Sequence, residues 1–276
     1  DSLAAAGLVA PADAKLLGES YDRLRRVEHR LQMIPDQQTR SLPADPAALQ
    51  SANASRDLAG FLSAVRASPQ RRYTTRLAPG MDPHELERHL RYEWSTLVDE
   101  VARWQPTPWQ EAIRWMRWLP YLPALQKLTR GGRPPAWTRA DPVLGHIVAL
   151  DPALRGAALA ASPLQPFGPA LEAGAGDVTA AWLGHWRTLW PAGNRHARAL
   201  DRIARDVALL DAKLREAVGG DSKELHQALS QRLLRTFRRH PLSPATAVAY
   251  LGLEALGLLG LRGGVMRRAV VLPGPA

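Results

Sequence analysis

The sequence predicts an all-α protein, a multi-helix bundle with room for two helical subdomains. Three observations predict it. Apolar residues recur at steps of three and four along most of the 276-residue chain. Capping residues and first-turn prolines stand where those periodic stretches begin. No two alternating apolar runs are joined by an Asn-Gly or Asp-Gly turn, so nothing reads as a β-hairpin. Apolar residues make up 46% and charged residues 22%, a composition that can bury a core and is unlike a disordered tail.

The elements follow in order. From Pro11, the stripe Leu17, Tyr21, Leu24, Val27, Leu31 and Ile34 predicts an amphipathic helix that Pro35 stops. Asp57 to Val65 predicts a short helix ending near Ser68–Pro69. Asp82 caps the next, with Pro83 in its first turn and Glu85 placed for a capping box; its face carries Leu86, Leu90, Trp94, Leu97 and Val101. Pro108 opens a Trp-rich helix through Trp109, Ile113, Trp115, Met116 and Trp118. Val178 to Trp190 predicts another, with Trp182, Trp186 and Trp190 four apart. His196 to Val218 follows, then Lys223 to Arg239 behind Asp221 or Ser222. The last predicted helix, Ala245 to Leu259, has Ser243 as cap and Pro244 in its first turn.

Charge and composition bound the function. Lys and Arg number 36 against 26 Asp and Glu, a net charge of +10. All but four of the basic residues are Arg, which with abundant Ala fits a GC-rich coding bias; the functional alternative is an anionic partner. There is no Cys, which excludes a disulfide scaffold, a Cys-bound metal and a Cys nucleophile. The chain starts at Asp1 with no signal-peptide pattern, and a truncated start is expected. The longest apolar run, Val248 to Leu261, is interrupted by Glu254 and falls short of the roughly 20 residues that span a bilayer. All nine Trp lie between Trp94 and Trp190, and residues 1–54 are slightly acidic while the rest is basic, so segments of different history are expected.

Several motifs carry weak chemistry. His84 and His89 flank Glu85, but five residues place them about 140° apart on a helix, unlike a zinc helix with ligands four apart. A solvated helix face is the plainer reading. Gly131-Gly132-Arg133 could form a phosphate-binding nest, yet no Lys-Ser/Thr partner follows it. Trp at helical spacing reads as core before it reads as a stacking platform for bases. Arg232, Arg235, Arg238 and Arg239 form a strip that reads as a solvated face or an anion-facing surface. Glu254, if buried, needs a partner that the sequence does not identify.

One stretch is specific. Tyr21 to Pro43, YDRLRRVEHRLQMIPDQQTRSLP, resembles the bifunctional glutamine-synthetase adenylyltransferase/adenylyl-removing family. That pattern is met by Tyr21, Leu24, Arg25, Val27, Glu28, His29, Arg30, Leu31 and Gln32, then Asp36, Gln38, Thr39, Leu42 and Pro43. Amphipathicity fixes only the apolar positions and leaves the polar cluster Arg25, Glu28, His29, Arg30, Gln32, Asp36, Gln38 and Thr39 unaccounted for. Arg25, Glu28 and Gln32 fall at steps of three and four, so they can support one another as a buried network or as a face toward a nucleotide.

The resemblance covers residues 1–48, with a junction at 49–55 and a Trp- and Arg-rich helical domain at 56–276. It implies nitrogen regulation, with glutamine synthetase or its PII regulator as partner, and Mg²⁺ with ATP or ADP in the full-length enzyme. Nucleotidyl transfer needs a Gly-Ser turn and an Asp-x-Asp pair for the metal, and this sequence contains neither. The expectation is therefore a non-catalytic scaffold or regulatory interaction segment without its own cofactor or metal site, cytoplasmic, with enzyme status left open. Residues 56–130 and the ending FRRHPLSPATAVAYLGLEALGLLGLRG are similar to the C/d-type subunit of V-type ATPases. That resemblance implies a non-enzymatic adaptor, peripheral to the membrane, between the rotary stalk and the membrane ring. A basic helical nucleic-acid binder is a third reading, without a recognisable module.

Overall fold

Asp57 starts the first described helix because its carboxylate accepts from the Gly60 N–H at 2.6 Å, the hydrogen bond of an N-cap. The computed structural model describes residues 52–151, 154–172, 176–216 and 222–271. These belong to one compact unit, Pro43–Ala276. The helices are α1 (Leu58–Arg66), α2 (Arg71–Thr74), α3 (Pro83–Arg103), α4 (Thr107–Arg114) and α5 (Leu122–Thr129). Short pieces α6 (Leu144–Val148), α7 (Arg155–Ala160) and α8 (Gly168–Glu172) follow. The long helices close the chain: α9 (Val178–Thr188), α10 (Ala197–Glu216), α11 (Ser222–Arg239) and α12 (Pro244–Val271). There is no strand among the described residues, and the fold is all-α.

Within the described residues the expected elements appear with two differences; the helix expected from Pro11 to Ile34 lies outside those residues. The Trp-rich helix does not run on as one α-helix. It gives way to a 3-10 segment, Trp115–Tyr121, that carries Pro120, whose missing N–H removes an α-helical hydrogen bond. The closing helix does not end at Leu259; α12 continues through Gly260, Gly263 and Gly264 to Val271. Glycine is a poor helix former, yet here it serves close packing. A Cβ on Gly264 would come within 2.4 Å of the Phe61 ring, so α1 and α12 approach too closely for any side chain at that point. Gly252 plays the same part opposite Leu233 of α11, at 2.9 Å.

The extension changes the membrane reading. Pro244–Ala269 is, among the described residues, the one helix long and apolar enough to cross a bilayer by length and composition. Its most apolar window is 67% buried against the other helices, as the central helix of a packed core would be. It packs along α11 as a helical hairpin and touches α1, α3 and α10. Leu251, Leu261 and Val265 are fully buried along it. The Trp stripe is core as well: Trp94, Trp182 and Trp186 are at most 2% exposed. Their neighbours are other rings and backbone, with Trp182 stacked on Trp186 at 5.5 Å and the Trp186 indole donating to the Ala112 carbonyl at 3.0 Å.

Candidate functional site

Among the described residues, chemistry collects at two polar clusters on α12 and in one large apolar cavity. The first cluster surrounds Glu254. The Tyr73 hydroxyl, on α2, donates to Glu254 Oε2 at 2.9 Å, and both groups are buried. Tyr250, one turn earlier on α12, stands close to this carboxyl, as do Arg72 and Glu100. Burial pushes the Glu254 carboxyl up to about 7, against the opposing pull of the Tyr73 hydrogen bond and the Arg72 charge. Burial also raises the Tyr73 and Tyr250 hydroxyls well above the usual tyrosine range, with the Glu254 charge adding to it. Arg72 is itself tied to Glu100, its Nη2 lying 3.1 Å from each carboxylate oxygen. This is the partner the sequence left unnamed. Tyr73 lies 181 positions away, and no local pattern could have joined the two.

The second cluster surrounds Glu87 of α3. Arg91, one turn on, donates from Nε and Nη2 to Glu87 Oε1 at 3.1 and 2.7 Å. Its Nη1 reaches the Pro120 carbonyl at 2.6 Å, and its guanidinium lies over the Trp137 ring at 3.6 Å. Arg262 of α12 approaches from the other side, its Nε 2.8 and 2.6 Å from the two Glu87 oxygens. Burial lowers the Arg91 guanidinium from its ordinary range, opposed by the Glu87 charge. The Tyr121 ring also lies under Arg91, at 4.7 Å, and its hydroxyl donates to Asp141 at 2.8 Å. Asp141 in turn accepts from the N–H groups that open α6.

Glu87, Arg91 and Arg262 line a cavity of about 600 Å³ walled by α3, α5 and α9–α12. That size lies in the range of about 300–1,000 Å³ typical of small-molecule sites. Its walls are mostly aliphatic and aromatic, and Lys127 of α5 and Arg130 just past its end add two further cations. The Trp182 ring forms part of the wall, and its indole N–H is buried without an acceptor among the described residues.

The sequence-predicted sites fare unevenly. The polar cluster Arg25, Glu28, His29, Arg30, Gln32, Asp36, Gln38 and Thr39 lies outside the described residues. Arg232, Arg235, Arg238 and Arg239 are all exposed on α11; Arg232 pairs with Asp206 of α10 at 2.6 Å, and Arg235 bonds its own helix at the Gln231 carbonyl. His84 is exposed and His89 half-buried, and no group of three or more metal-ligating side chains occurs among the described residues. The Gly131–Gly132 amides are engaged in a helix-ending turn. They donate to the Leu128 and Lys127 carbonyls at 3.0 and 2.9 Å, with Gly131 at φ +68°. No N–H of that pair is left to cradle a phosphate.

Comparison with known proteins gives a class first. Residues 1–77 match the family model described as GlnD PII-uridylyltransferase, a span that takes in α1 and α2. Particular relatives follow, each a bifunctional glutamine synthetase adenylyltransferase/adenylyl-removing enzyme. That of Stenotrophomonas maltophilia strain K279a is 56% identical over 45 residues, 16% of this chain and 5% of the relative. That of Caulobacter vibrioides is 57% identical over 42 residues, 15% and 4%; that of Bordetella pertussis is 58% identical over 43 residues, 16% and 5%. The chain thus spans about 5% of the length of the curated relatives it matches. The resemblance first seen in Tyr21 to Pro43 therefore stands as similarity to this class. The rotary-ATPase resemblance expected for 56–276 does not: no support for it accompanies these matches. No solved structure matches the chain.

Proposed function

We propose that this chain is a non-catalytic helical interaction domain of nitrogen regulation, acting in the cytoplasm as a scaffold or regulatory surface for glutamine synthetase or its PII regulator. The observation that carries the reading is the 56–58% identity to bifunctional glutamine synthetase adenylyltransferases, set in a sequence without a Gly-Ser turn or an Asp-x-Asp pair. The way the matched span continues into the helical core supports a scaffold role. Phe61 packs on Gly264, Tyr73 binds Glu254, and Arg268 of α12 donates to the Asn53 and Ser55 carbonyls. The end of the family match is thus one piece with the closing helix, and α12 brings the basic α11 surface with it.

The test is direct binding of the purified full chain to purified PII protein and to glutamine synthetase, by interferometry at physiological salt. Saturable binding to one of them, weakened in Arg25→Ala/Glu28→Ala, is expected. In parallel, the chain with ATP, Mg²⁺ and glutamine synthetase is expected to transfer no AMP. Binding to neither protein, or measurable AMP transfer, overturns the reading.

A further inference from the structure

Helices α3 and α12 converge on a charge arrangement that does not balance. Two guanidiniums, from Arg91 and Arg262, share the single Glu87 carboxylate. Arg91 is closed in on every side, by Glu87, the Pro120 carbonyl and the Trp137 ring. Arg262 is not. Its side chain is 41% exposed, it spends only Nε on Glu87, and its terminal nitrogens find no partner among the described residues. The triad thus leaves one positive charge, with free donors, at the wall of a cavity that is otherwise mostly apolar.

An occupant has to satisfy both halves of that description. A nucleotide or a free phosphate would meet the cation and leave the aliphatic wall of Leu90, Met116, Val207, Leu229 and Leu256 against polar atoms. A neutral apolar molecule would fill the wall and leave Arg262 uncompensated. Lys127 and Arg130 add two positive charges to the same lining and Asp211 of α10 one negative charge, so cations remain in excess. We propose that this cavity binds a single-chain anionic amphiphile of the fatty-acid class, the alkyl chain against the walls of α10–α12 and the carboxylate on Arg262. The chain's burial would supply affinity in proportion to apolar area removed from water, and the guanidinium would select the anionic head. This site is separate from the nitrogen-regulation reading and stands or falls independently of it.

The cavity carries its own reporter, since Trp182 and Trp186 form part of its wall. The full-length chain is titrated with cis-parinaric acid, below its micellar concentration, and energy transfer from tryptophan to the bound polyene is read. Saturable transfer at one site per chain is expected. Parinaric methyl ester, which lacks the charge, and Arg262→Gln titrated with the acid are each expected to bind about tenfold more weakly than the acid on the unaltered chain. The ester should be indifferent to Arg262→Gln. Ala255→Phe places a ring in the lining and is expected to abolish transfer; should that variant lose its helical circular dichroism, Arg262→Gln decides alone. Non-saturating transfer, equal affinity for acid and ester, or an unchanged affinity in Arg262→Gln overturns the proposal. So does a chain that sediments as a dimer and takes up no parinaric acid, which would make the apolar wall a contact between copies.

Discussion

Glu254 and Arg262 stand eight residues apart on α12, and at each point the helix meets a buried carboxyl group. At Glu254 the surroundings are hydroxyls: Tyr73 donates to it across the core and Tyr250 stands beside it along the helix, with Arg72 turned to Glu100. At Glu87 the surroundings are guanidiniums, Arg91 and Arg262. The first arrangement keeps a carboxyl in place whose charge responds to pH near neutrality. The second holds a fixed ion cluster with cation in excess. One helix thus carries a site that changes with the medium and a site built to hold charge, which is why α12 cannot be read as a uniformly apolar segment.

The contrast breaks most sharply at Arg91. Arg91→Ala removes a guanidinium that fills the space beneath Trp137 and leaves Glu87 with only the half-exposed Arg262. Losing one partner of a buried, hydrogen-bonded ion cluster costs roughly 3–5 kcal/mol, so urea unfolding should show a loss of that size. A loss below about 1 kcal/mol, the scale of a surface pair, would place this cluster in water.

The pH dependence sharpens the other half. Burial raises Glu254 from 4.5 to about 7 in the folded chain. A raised acid group stabilises the fold fully below its unfolded value and loses that contribution as pH climbs through the folded value. The unaltered chain should therefore lose stability, relative to Glu254→Gln, between about pH 4.5 and 7, and the difference should be flat above that. At 1.36 kcal/mol per pH unit, the swing is about 3 kcal/mol. Burial lowers the His185 and His196 imidazoles, and the difference between the two chains cancels their contribution. Paired urea melts from pH 4.5 to 8 check this; two parallel curves would remove Glu254 from the buried core.

The helical class was legible because it rests on local periodicity. The stripe through Leu86, Leu90, Trp94 and Leu97 is fully buried as its spacing requires, and Asp82 caps α3 through the N–H groups of His84 and Glu85. The overlong α12 was not legible, because it turns on distant packing, whereas the break in the Trp helix has a local signal in Pro120. Gly260, Gly263 and Gly264 look like a stop signal until Phe61 is seen against Gly264. The clusters around Glu254 and Glu87 were invisible for the same reason: Tyr73 and Arg262 are 181 and 175 positions from the carboxyls they bind. What the sequence did disclose of function, the match to a nucleotidyltransferase-related class, came from polar identities at fixed spacing.

A smaller effect tests whether the glycine contact, rather than chain flexibility, sets the approach of α1 to α12. Gly264→Ala gains helix propensity worth about 1 kcal/mol but drives a methyl group into the Phe61 ring, 2.4 Å from its Cζ. Overpacking of this kind costs roughly 1–3 kcal/mol, so after the propensity gain the variant should be destabilised by up to about 2 kcal/mol. Phe61→Leu in the same chain opens the space, and the double variant should then be more stable than Phe61→Leu alone. Gly263, whose added Cβ would meet nothing within 4 Å, supplies the control: Gly263→Ala keeps the propensity gain without the clash and should be stabilised. If Gly263→Ala and Gly264→Ala shift the urea midpoint alike, the two helices do not meet at Phe61.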